Sequence, residues 1–355
     1  MRDPHLHLKD MDPDALRGWL VAEGDRAYRA EQLLGWLYAR GVDDPVEMTD
    51  LPQELRDRLR SSAVRTRSLE TLSVQRSVDG TRKAALRAAD GAIVEAVLIP
   101  DEDRTTLCLS TQVGCPLACS FCATGEMGFT RNLRTAEIID QVCRMREALD
   151  PEERITNVVF MGMGEPLLNL PAVLRAIRIL VHPRAFALAP RRITVSTAGL
   201  VPKIAALVEA APVNLAVSLH ATTDALRDEL VPLNRRFPLA TLFSELGRLP
   251  GLSARRPIFF EYTLLAGVND SVGDAERLLT LVRGLPSKVN VIPVNPHPGS
   301  PYRTPPDAAV DRFLGVLSRG GATVTLRRSR GSDIDAACGQ LAARDFVVRP
   351  DRPMG

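Results

Sequence analysis

Three closely spaced cysteines are the residues of this sequence best suited to chemistry. Cys115, Cys119 and Cys122 lie close together in a 355-residue chain that has only six cysteines. So few cysteines do not make a disulfide scaffold, and crowded thiols indicate metal ligands. Three thiolates can hold three irons of a cubane iron–sulfur cluster and leave the fourth iron open, whereas structural zinc takes four protein ligands. A zinc site completed by a histidine is the alternative, although none of the five histidines lies near these cysteines in sequence.

Other candidate residues are scattered along the chain. The stretch GMGEP at 162–166 combines glycines, which let a backbone approach a ligand, with a carboxylate that can accept hydrogen bonds from an ammonium group. Taken alone, it is also typical of a tight strand-to-helix turn. Cys108 and Cys338 taken alone fit buried structural thiols, and His220 fits a core histidine. Cys143 lies within an amphipathic helical pattern and is interpreted as a packing residue.

Strand and helix patterns alternate from residue 104 onward. Helical periodicity occurs in TAEIIDQVCRMREAL, LPAVLRAIRIL, LVPKIAALVEA, VGDAERLLTLVRGL and PDAAVDRFLGVL. This alternation predicts an α/β fold of parallel βαβ units that curls into a full or partial (β/α)6-type barrel, with the active site at the carboxyl ends of the strands. The predicted strands are Thr105–Ser110, Asn157–Met161, Arg192–Ser196, Val213–Leu219, Ile258–Leu264, Val289–Val294 and Thr323–Leu326.

Two smaller regions precede the predicted barrel. Residues 12–40 carry apolar residues at helical spacing, and a short helix is predicted over Leu51–Leu59. From Leu69 to Ile99 short alternating stretches are broken by Asp79-Gly80 and Asp90-Gly91, which predict hairpin turns in a short linking β-sheet. The predicted regions are a helical N-terminal domain at 1–65, a β linker at 66–103, the barrel with a C-terminal cysteine loop at 104–345 and a tail at 346–355.

Composition and charge exclude several classes of protein. The chain is 45% hydrophobic and 25% charged, which is ordinary for a globular protein. It has no run of about 18 apolar residues, and its amino terminus is charged from the second residue, so we expect a cytoplasmic protein without a membrane span or secretory signal. The net charge of +2 excludes little. Arginine clusters could contact phosphates or could be solvated surface, and they occur at 56–67, Arg191-Arg192, Arg235-Arg236, Arg255-Arg256 and 327–330.

The cysteine motif and its surroundings resemble a known family. Cys115-x3-Cys119-x-Phe121-Cys122 resembles the signature of the radical S-adenosylmethionine (SAM) superfamily, in which the open iron of a [4Fe-4S] cluster chelates the amino and carboxylate groups of SAM. The stretches YRAEQLLGWLY, STQVGCPLACSFCATGEMGF, FMGMGEPLLN, ITVSTAGLVPKI, VSLHA, VIPVNPHPG and RRSRGSDIDAACGQL are together similar to the bacterial RNA adenine-C2 methyltransferases, which act on 23S rRNA and tRNA. The resemblance implies SAM contacts at Gly164, Glu165, Ser196, Ser218, Leu219, His220 and Asn295, and a cluster on the three cysteines.

The resemblance also implies roles for two cysteines outside the cluster. Adenine C2 is an aromatic carbon without a nucleophilic lone pair, so it cannot simply displace the methyl group of SAM. In the implied mechanism one SAM methylates Cys338, a second is cleaved to a 5′-deoxyadenosyl radical that takes a hydrogen atom from the S-methyl group, and the resulting methylene radical adds to C2. Loss of the C2 proton and attack by the Cys108 thiolate release the base through a transient Cys108–Cys338 disulfide. Glu95 matches the family's proton acceptor, although a lone glutamate on an alternating strand is usually on the solvent face.

The implied chemistry sets the expected partners. An enzyme that reacts at C2 needs the adenine unstacked and flipped, and the helical N-terminal domain and the arginine clusters could hold folded RNA. We expect 23S rRNA and tRNA as partners, a flavodoxin- or ferredoxin-type electron donor, no membrane and a monomer. One alternative is the related adenine-C8 methyltransferase, an antibiotic-resistance enzyme that shares the cluster, the SAM motifs and both cysteines, but the flanking sequences favour C2. The other is a non-catalytic RNA-binding protein with iron or zinc on the three cysteines, against which the presence of Cys108, Cys338 and the SAM-binding set argues.

Overall fold

The computed structural model describes residues 6–60 and 64–342. The predicted tail at 346–355 and residues 343–345 of the predicted barrel region lie outside the described residues. No helix in the described ranges combines the length and apolar character that crossing a bilayer requires.

A ten-stranded sheet forms the centre of the molecule. Its strand order is β14-β13-β12-β11-β10-β9-β6-β5-β4-β3, and every neighbouring pair from β6 through β14 is parallel. Because β14 and β3 occupy its two edges, the sheet is open, and the predicted partial barrel is confirmed. The strands are β1 (Leu6–His7), β2 (Val64–Arg65), β3 (Leu69–Arg76), β4 (Arg82–Ala88), β5 (Ile93–Asp101), β6 (Arg104–Cys108), β7 (Gln112–Gly114), β8 (Phe129–Asn132), β9 (Asn157–Phe160), β10 (Ile193–Thr197), β11 (Asn214–Ser218), β12 (Ile258–Leu264), β13 (Ser287–Pro293) and β14 (Val324–Leu326).

Helices follow the parallel strands as the βαβ pattern requires. All five predicted helices of the barrel are present, and two further short helices, α8 and α9, lie between β11 and β12. The helix starts have local causes: the side chains of Asp12, Thr223 and Ser271 accept hydrogen bonds from the first turns of α1, α8 and α10. The helices are α1 (Pro13–Ala22), α2 (Arg29–Leu34), α3 (Gln53–Leu59), α4 (Ala123–Glu126), α5 (Thr135–Glu147), α6 (Leu170–Val181), α7 (Val201–Ala210), α8 (Asp224–Leu230), α9 (Leu239–Leu246), α10 (Val272–Val282) and α11 (Asp307–Arg319).

The predicted linking sheet is present as an antiparallel extension of the barrel sheet. Its two hairpin turns lie at the predicted positions, and Gly80 and Gly91 each have a φ of +83°, a left-handed conformation that glycine adopts without strain. Strand β5 then pairs antiparallel with β6, so that Val97 lies opposite Cys108. The extension therefore places β5 beside the first strand of the barrel.

Candidate active site

One cavity lies at the carboxyl ends of the parallel strands, and its wall includes Cys115, Cys119 and Cys122, so we call it the three-cysteine cavity. All three cysteine residues are half-buried. Within the described ranges, no group of three or more histidine, cysteine and acidic side chains is placed to hold a single metal ion. Three soft sulfur donors beside an open cavity fit a [4Fe-4S] cluster, and the cavity leaves space for a ligand on a fourth iron.

The loop that carries the three cysteines is held by a two-stranded ribbon. Strands β7 and β8 pair before and after it, and the Cys115 backbone N–H donates a hydrogen bond to the Gly128 carbonyl (2.8 Å). Gly114 has a φ of +72°, and a Cβ atom there would lie 1.9 Å from the Gly128 oxygen. A side chain at position 114 would therefore separate the ribbon and displace the first cysteine.

Glu165 is a buried carboxylate on the wall of the three-cysteine cavity. Its two oxygens accept hydrogen bonds from the backbone N–H groups of Leu167 (3.0 Å) and Ala198 (2.8 Å). Burial raises the pKa of Glu165 to about 7, and these hydrogen bonds partly oppose the rise. The neighbouring Gly164 has a φ of +100°, and a Cβ atom there would lie 2.5 Å from the Gln112 side chain. The stretch is thus a tight turn, as its sequence allows, and also presents a carboxylate that can accept hydrogen bonds from an ammonium group.

The predicted polar residues of the middle strands also reach this cavity. Ser196 and Ser218 lie on adjacent strands with their hydroxyl oxygens 3.3 Å apart, and both line the cavity. His220 lines it as well, at a φ of +58°, and accepts a hydrogen bond at Nδ1 from the Thr263 backbone N–H (3.0 Å). Burial lowers the pKa of His220 to about 3, so its imidazole is neutral at physiological pH. Leu219 is fully buried, and its side chain packs in the core. Its neighbours in sequence, Ser218 and His220, line the cavity wall.

A second cavity adjoins the first and contains both remaining candidate thiols, so we call it the two-thiol cavity. Cys108, at the end of β6, and Cys338 both line it, and Cys338 also lines the three-cysteine cavity. Asn295, which follows β13, lines both cavities too, and its side chain contacts the Ser329 hydroxyl. Burial raises the pKa of the Cys108 thiol to about 12, and the neighbouring Cys338 adds to the rise. The structure therefore brings together two thiols that are 230 residues apart in sequence.

The segment around Cys338 is docked on the cysteine loop. The Gly339 carbonyl accepts a hydrogen bond from the Ala123 backbone N–H (2.8 Å), and the Leu341 carbonyl accepts one from the Thr124 hydroxyl (2.5 Å). Cys338 itself is an exposed side chain. Its sulfur is thus accessible from both cavities while the backbone beside it is fixed.

Glu95 is buried on β5, so a position on the solvent face is excluded. Its carboxylate lies 3.1 Å from the Lys83 ammonium and accepts a hydrogen bond from the Ala342 backbone N–H (2.9 Å). It is not among the residues that line either cavity. In this conformation Glu95 holds the chain just after Cys338, and its predicted role as proton acceptor stays a prediction.

Sequence reasoning missed one charged residue that lines this site and one that supports the wall behind it. Glu261 on β12 lines the three-cysteine cavity, and burial raises the pKa of its carboxyl group. One carboxylate oxygen accepts a hydrogen bond from the Asn290 side chain (2.8 Å), and the other lies 3.8 Å from the Arg327 guanidinium. Arg227 on α8 is fully buried and donates hydrogen bonds to the carbonyls of Ala198 and Leu219. The available signal for Glu261 was a single acidic residue inside the apolar strand pattern IFFEYTL.

Comparison with known proteins finds relatives along nearly the whole chain. The family described as "Radical SAM superfamily" matches residues 109–278, and the one described as "Ribosomal RNA large subunit methyltransferase N-terminal domain" matches residues 6–64. The protein named Dual-specificity RNA methyltransferase RlmN of Geobacter sulfurreducens is 50% identical over 349 residues, which cover 98% of this chain and 95% of that one. The protein of the same name from Halorhodospira halophila is 48% identical over 98% of both chains. The crystal structure of a radical SAM methyltransferase from Sphaerobacter thermophilus is 45% identical, with a TM-score of 0.89 over 95% of this chain and 99% of that chain.

Proposed function

The chain belongs to the RlmN family of dual-specificity RNA methyltransferases, which methylate C2 of adenine in 23S rRNA and tRNA, and from this membership we propose which of its residues perform the reaction. Cys115, Cys119 and Cys122 would hold a [4Fe-4S] cluster. When bound, the cluster supplies the electron that cleaves SAM, and SAM supplies the methyl group and the radical that activates it. Acting on rRNA and tRNA, the enzyme would work in the cytoplasm, as a monomer that receives electrons from a flavodoxin- or ferredoxin-type donor.

The wall of the three-cysteine cavity would orient SAM. Glu165 offers a carboxylate to the ammonium group of the methionine part, with Gly164 leaving the backbone accessible. The two serine hydroxyls, Ser196 and Ser218, offer further hydrogen bonds, as do the neutral imidazole of His220 and the amide of Asn295. Leu219 would contribute through its backbone position, because its side chain is buried.

The position of Cys338 is the single observation that carries the proposal. It lines both cavities, so one sulfur can take a methyl group on the SAM side and present the carbon to a base on the Cys108 side. Methylation of the Cys338 sulfur breaks the S–CH3 bond of SAM and leaves S-adenosylhomocysteine. After the S-methyl group loses one hydrogen atom, its carbon forms a bond to adenine C2, and the RNA is then covalently attached to Cys338.

Release of the base would use the second thiol. Once the adduct has lost the C2 proton, the Cys108 thiolate bonds to the Cys338 sulfur, and the S–CH2 bond breaks with its electron pair on the carbon. The one surplus electron of the radical adduct would return to the oxidised cluster. Protonation of that carbon gives the methyl group, and the two cysteines are left as a disulfide that must be reduced before the next turnover. Glu95 would accept the C2 proton; because it does not line either cavity in this structure, that role requires the segment after Cys338 to move away from it.

The Cys108→Ala variant tests this assignment. Without the second thiol the adduct cannot be resolved, so we expect RNA and protein to stay joined, as a species that survives denaturing electrophoresis and carries the RNA on the peptide that contains Cys338. Cys143→Ala is the matched control, because Cys143 is equally buried but lines neither cavity. Free methylated RNA from Cys108→Ala at the rate of the unsubstituted enzyme would contradict the proposal, as would the same adduct from Cys143→Ala.

A further inference from the structure

The two-thiol cavity has a positively charged rim that the proposed mechanism leaves unused. Arg327, Arg328 and Arg330 follow β14, the edge strand of the barrel, and line this cavity together with Cys108 and Cys338. Arg328 and Arg330 are exposed, and Arg327 is half-buried. Two of the three guanidinium groups are therefore accessible to a ligand that approaches the thiols from solvent.

The protein neutralises little of this charge. Arg330 lies 3.5 Å from Asp101, in a pair in which both side chains are exposed, and such pairs are weak. Arg327 lies 3.8 Å from the buried Glu261. Among the residues that the structure describes, Arg328 has no hydrogen-bond or ion-pair partner. The rim thus has a net positive charge beside a cavity that must admit part of an RNA chain.

The rest of the cavity wall suits a base rather than a phosphate. Val97, Ile99, Ile292 and Leu341 contribute apolar surface to it. For the carbon carried by Cys338 to reach C2, the adenine must enter this cavity beside Cys338, where its ring lies against the apolar surface. The two phosphodiester groups that flank a flipped nucleotide then remain outside the apolar part, at the level of the rim.

The position of the rim distinguishes it from other arginine clusters in the chain. Arg191-Arg192 and Arg255-Arg256 precede β10 and β12, so they lie at the amino ends of the parallel strands, opposite the thiols. Arg256 also donates hydrogen bonds to the carbonyls of Ala211 and Val213, which indicates a structural role. Of the clusters compared here, only the one after β14 borders the two-thiol cavity.

We propose that Arg328 and Arg330 bind the phosphodiester groups on either side of the adenosine that enters the two-thiol cavity. This inference rests on the proposed function, because it needs RNA as the substrate and C2 as the reacting atom. Guanidinium groups suit phosphate because they are always charged and can donate two parallel hydrogen bonds. Since the contacts are to the backbone, they would position the nucleotide without selecting its sequence.

The test compares two double variants of the full-length holoenzyme. Arg328→Ala with Arg330→Ala removes the rim, and Arg191→Ala with Arg192→Ala removes the same charge at the opposite end of the barrel. Binding of an unmodified, fluorescently labelled tRNA transcript is measured over a series of salt concentrations without SAM. One phosphate contact in single-stranded RNA contributes about 0.7 to the magnitude of the slope of log affinity against log salt concentration. We therefore expect this slope to be about 1.4 smaller in magnitude for the rim variant than for the unsubstituted enzyme, and to change less for the control variant. The KM for the tRNA should rise about tenfold or more, with kcat nearly unchanged.

Methylation of Cys338 by SAM separates this inference from the proposed function, because that half-reaction needs no RNA. The rim variant should methylate Cys338 as the unsubstituted enzyme does; failure of the unsubstituted enzyme to do so would contradict the proposed function. An unchanged salt slope and KM in the rim variant, or equal losses in both double variants, would overturn the inference alone. If the alanine variant does not fold, Arg328→Gln with Arg330→Gln, which keeps the side-chain length, decides between the same two results.

Discussion

At the scale of single residues, the proposed mechanism requires the Cys108 thiol to be deprotonated. Attack on the Cys338 sulfur needs a thiolate, yet burial and the neighbouring Cys338 raise the pKa of Cys108 to about 12. The protonated thiol therefore predominates at neutral pH. Because the protonated thiol is a poor nucleophile, the raised pKa protects the pair from premature oxidation.

This requirement predicts the pH dependence of base release. Below the raised pKa, the thiolate fraction increases tenfold for each pH unit, so the adduct should decay about tenfold faster per unit between pH 7 and pH 9. The measurement is a single-turnover experiment in which the preformed adduct is shifted to each pH and quantified over time. A rate that does not change with pH would show that deprotonation of Cys108 does not limit release.

The residues of the site differ in how far the sequence could predict them. The three cysteines, Glu165 and Cys338 belong to compact motifs, and the structure places all of them around the two cavities. Glu261 was missed because one acidic residue in an apolar strand gives no signal until its neighbours across the sheet are known. Glu95 was assigned a chemical role by resemblance, whereas its contacts with Lys83 and Ala342 depend on tertiary structure.

At the scale of elements, the turn between β3 and β4 anchors the segment that leads to Cys338. The Asp79 carboxylate accepts a hydrogen bond from the Gly331 backbone N–H (3.0 Å), and Asp333 accepts one from the Ser77 hydroxyl (2.5 Å). Against the effect of burial, hydrogen bonds from Thr81 and Gly331 lower the pKa of Asp79 to about 2. The contact therefore persists throughout the neutral range and is lost only in strong acid.

The anchor predicts that Asp79→Ala loosens the Cys338 segment. In glutathione buffer, the equilibrium ratio of the Cys108–Cys338 disulfide to the two free thiols should fall about tenfold, because a charged hydrogen bond that holds one cysteine near the other is lost. Asp90→Ala is the control: Asp90 caps the other hairpin turn in the same way, through the Ala92 N–H, but contacts Arg131 instead of the Cys338 segment. Equal ratios of disulfide to free thiols in Asp79→Ala and Asp90→Ala would contradict the anchoring role of Asp79.

Strands and turns could be predicted where the sequence carries one clear local pattern. Strand β12 has the bounds that its apolar run predicts, and both Asp-Gly hairpin turns were recognised from local chemistry. Helices α8 and α9 were missed because each has only seven or eight residues, too few for helical periodicity to stand out. The continuity of β5 with β6 could not be deduced, since strand pairing depends on partners elsewhere in the chain.

At the scale of the whole molecule, a buried ion pair joins the helical N-terminal region to the barrel. The Lys9 ammonium lies 2.7 Å from Asp140 on α5 and 2.8 Å from Asp43, and the side chains of Lys9 and Asp140 are 0% exposed. Burial disfavours the ammonium ion, but the acidic neighbours outweigh it and raise the pKa of Lys9. The backbone N–H groups of Ser68 and Leu69 also donate hydrogen bonds to Asp140, and the Arg144 guanidinium lies 3.6 Å from it.

Lys9→Met should therefore destabilise the protein strongly. The substitution removes the nearer of two cations beside the buried Asp140 carboxylate and leaves only Arg144, at 3.6 Å, which costs about 3 kcal/mol of unfolding free energy. Urea denaturation followed by circular dichroism measures the loss. Arg17→Ala, which breaks an exposed pair with Asp14, is the control and should change the stability by about 1 kcal/mol or less. A Lys9→Met midpoint equal to that of the unsubstituted protein would contradict this role.

The central claim, that methyl transfer to adenine C2 proceeds through Cys338, is tested most directly by the modified nucleoside itself. The cluster-reconstituted enzyme is incubated anaerobically with SAM, a reductant and unmodified 23S rRNA or tRNA, and the digested RNA is compared by mass spectrometry with 2-methyladenosine and 8-methyladenosine standards. We predict 2-methyladenosine from the unsubstituted enzyme and none from Cys338→Ala. An 8-methyladenosine product, 2-methyladenosine that persists in Cys338→Ala, or no methylated adenosine from an enzyme with an intact cluster would contradict the claim.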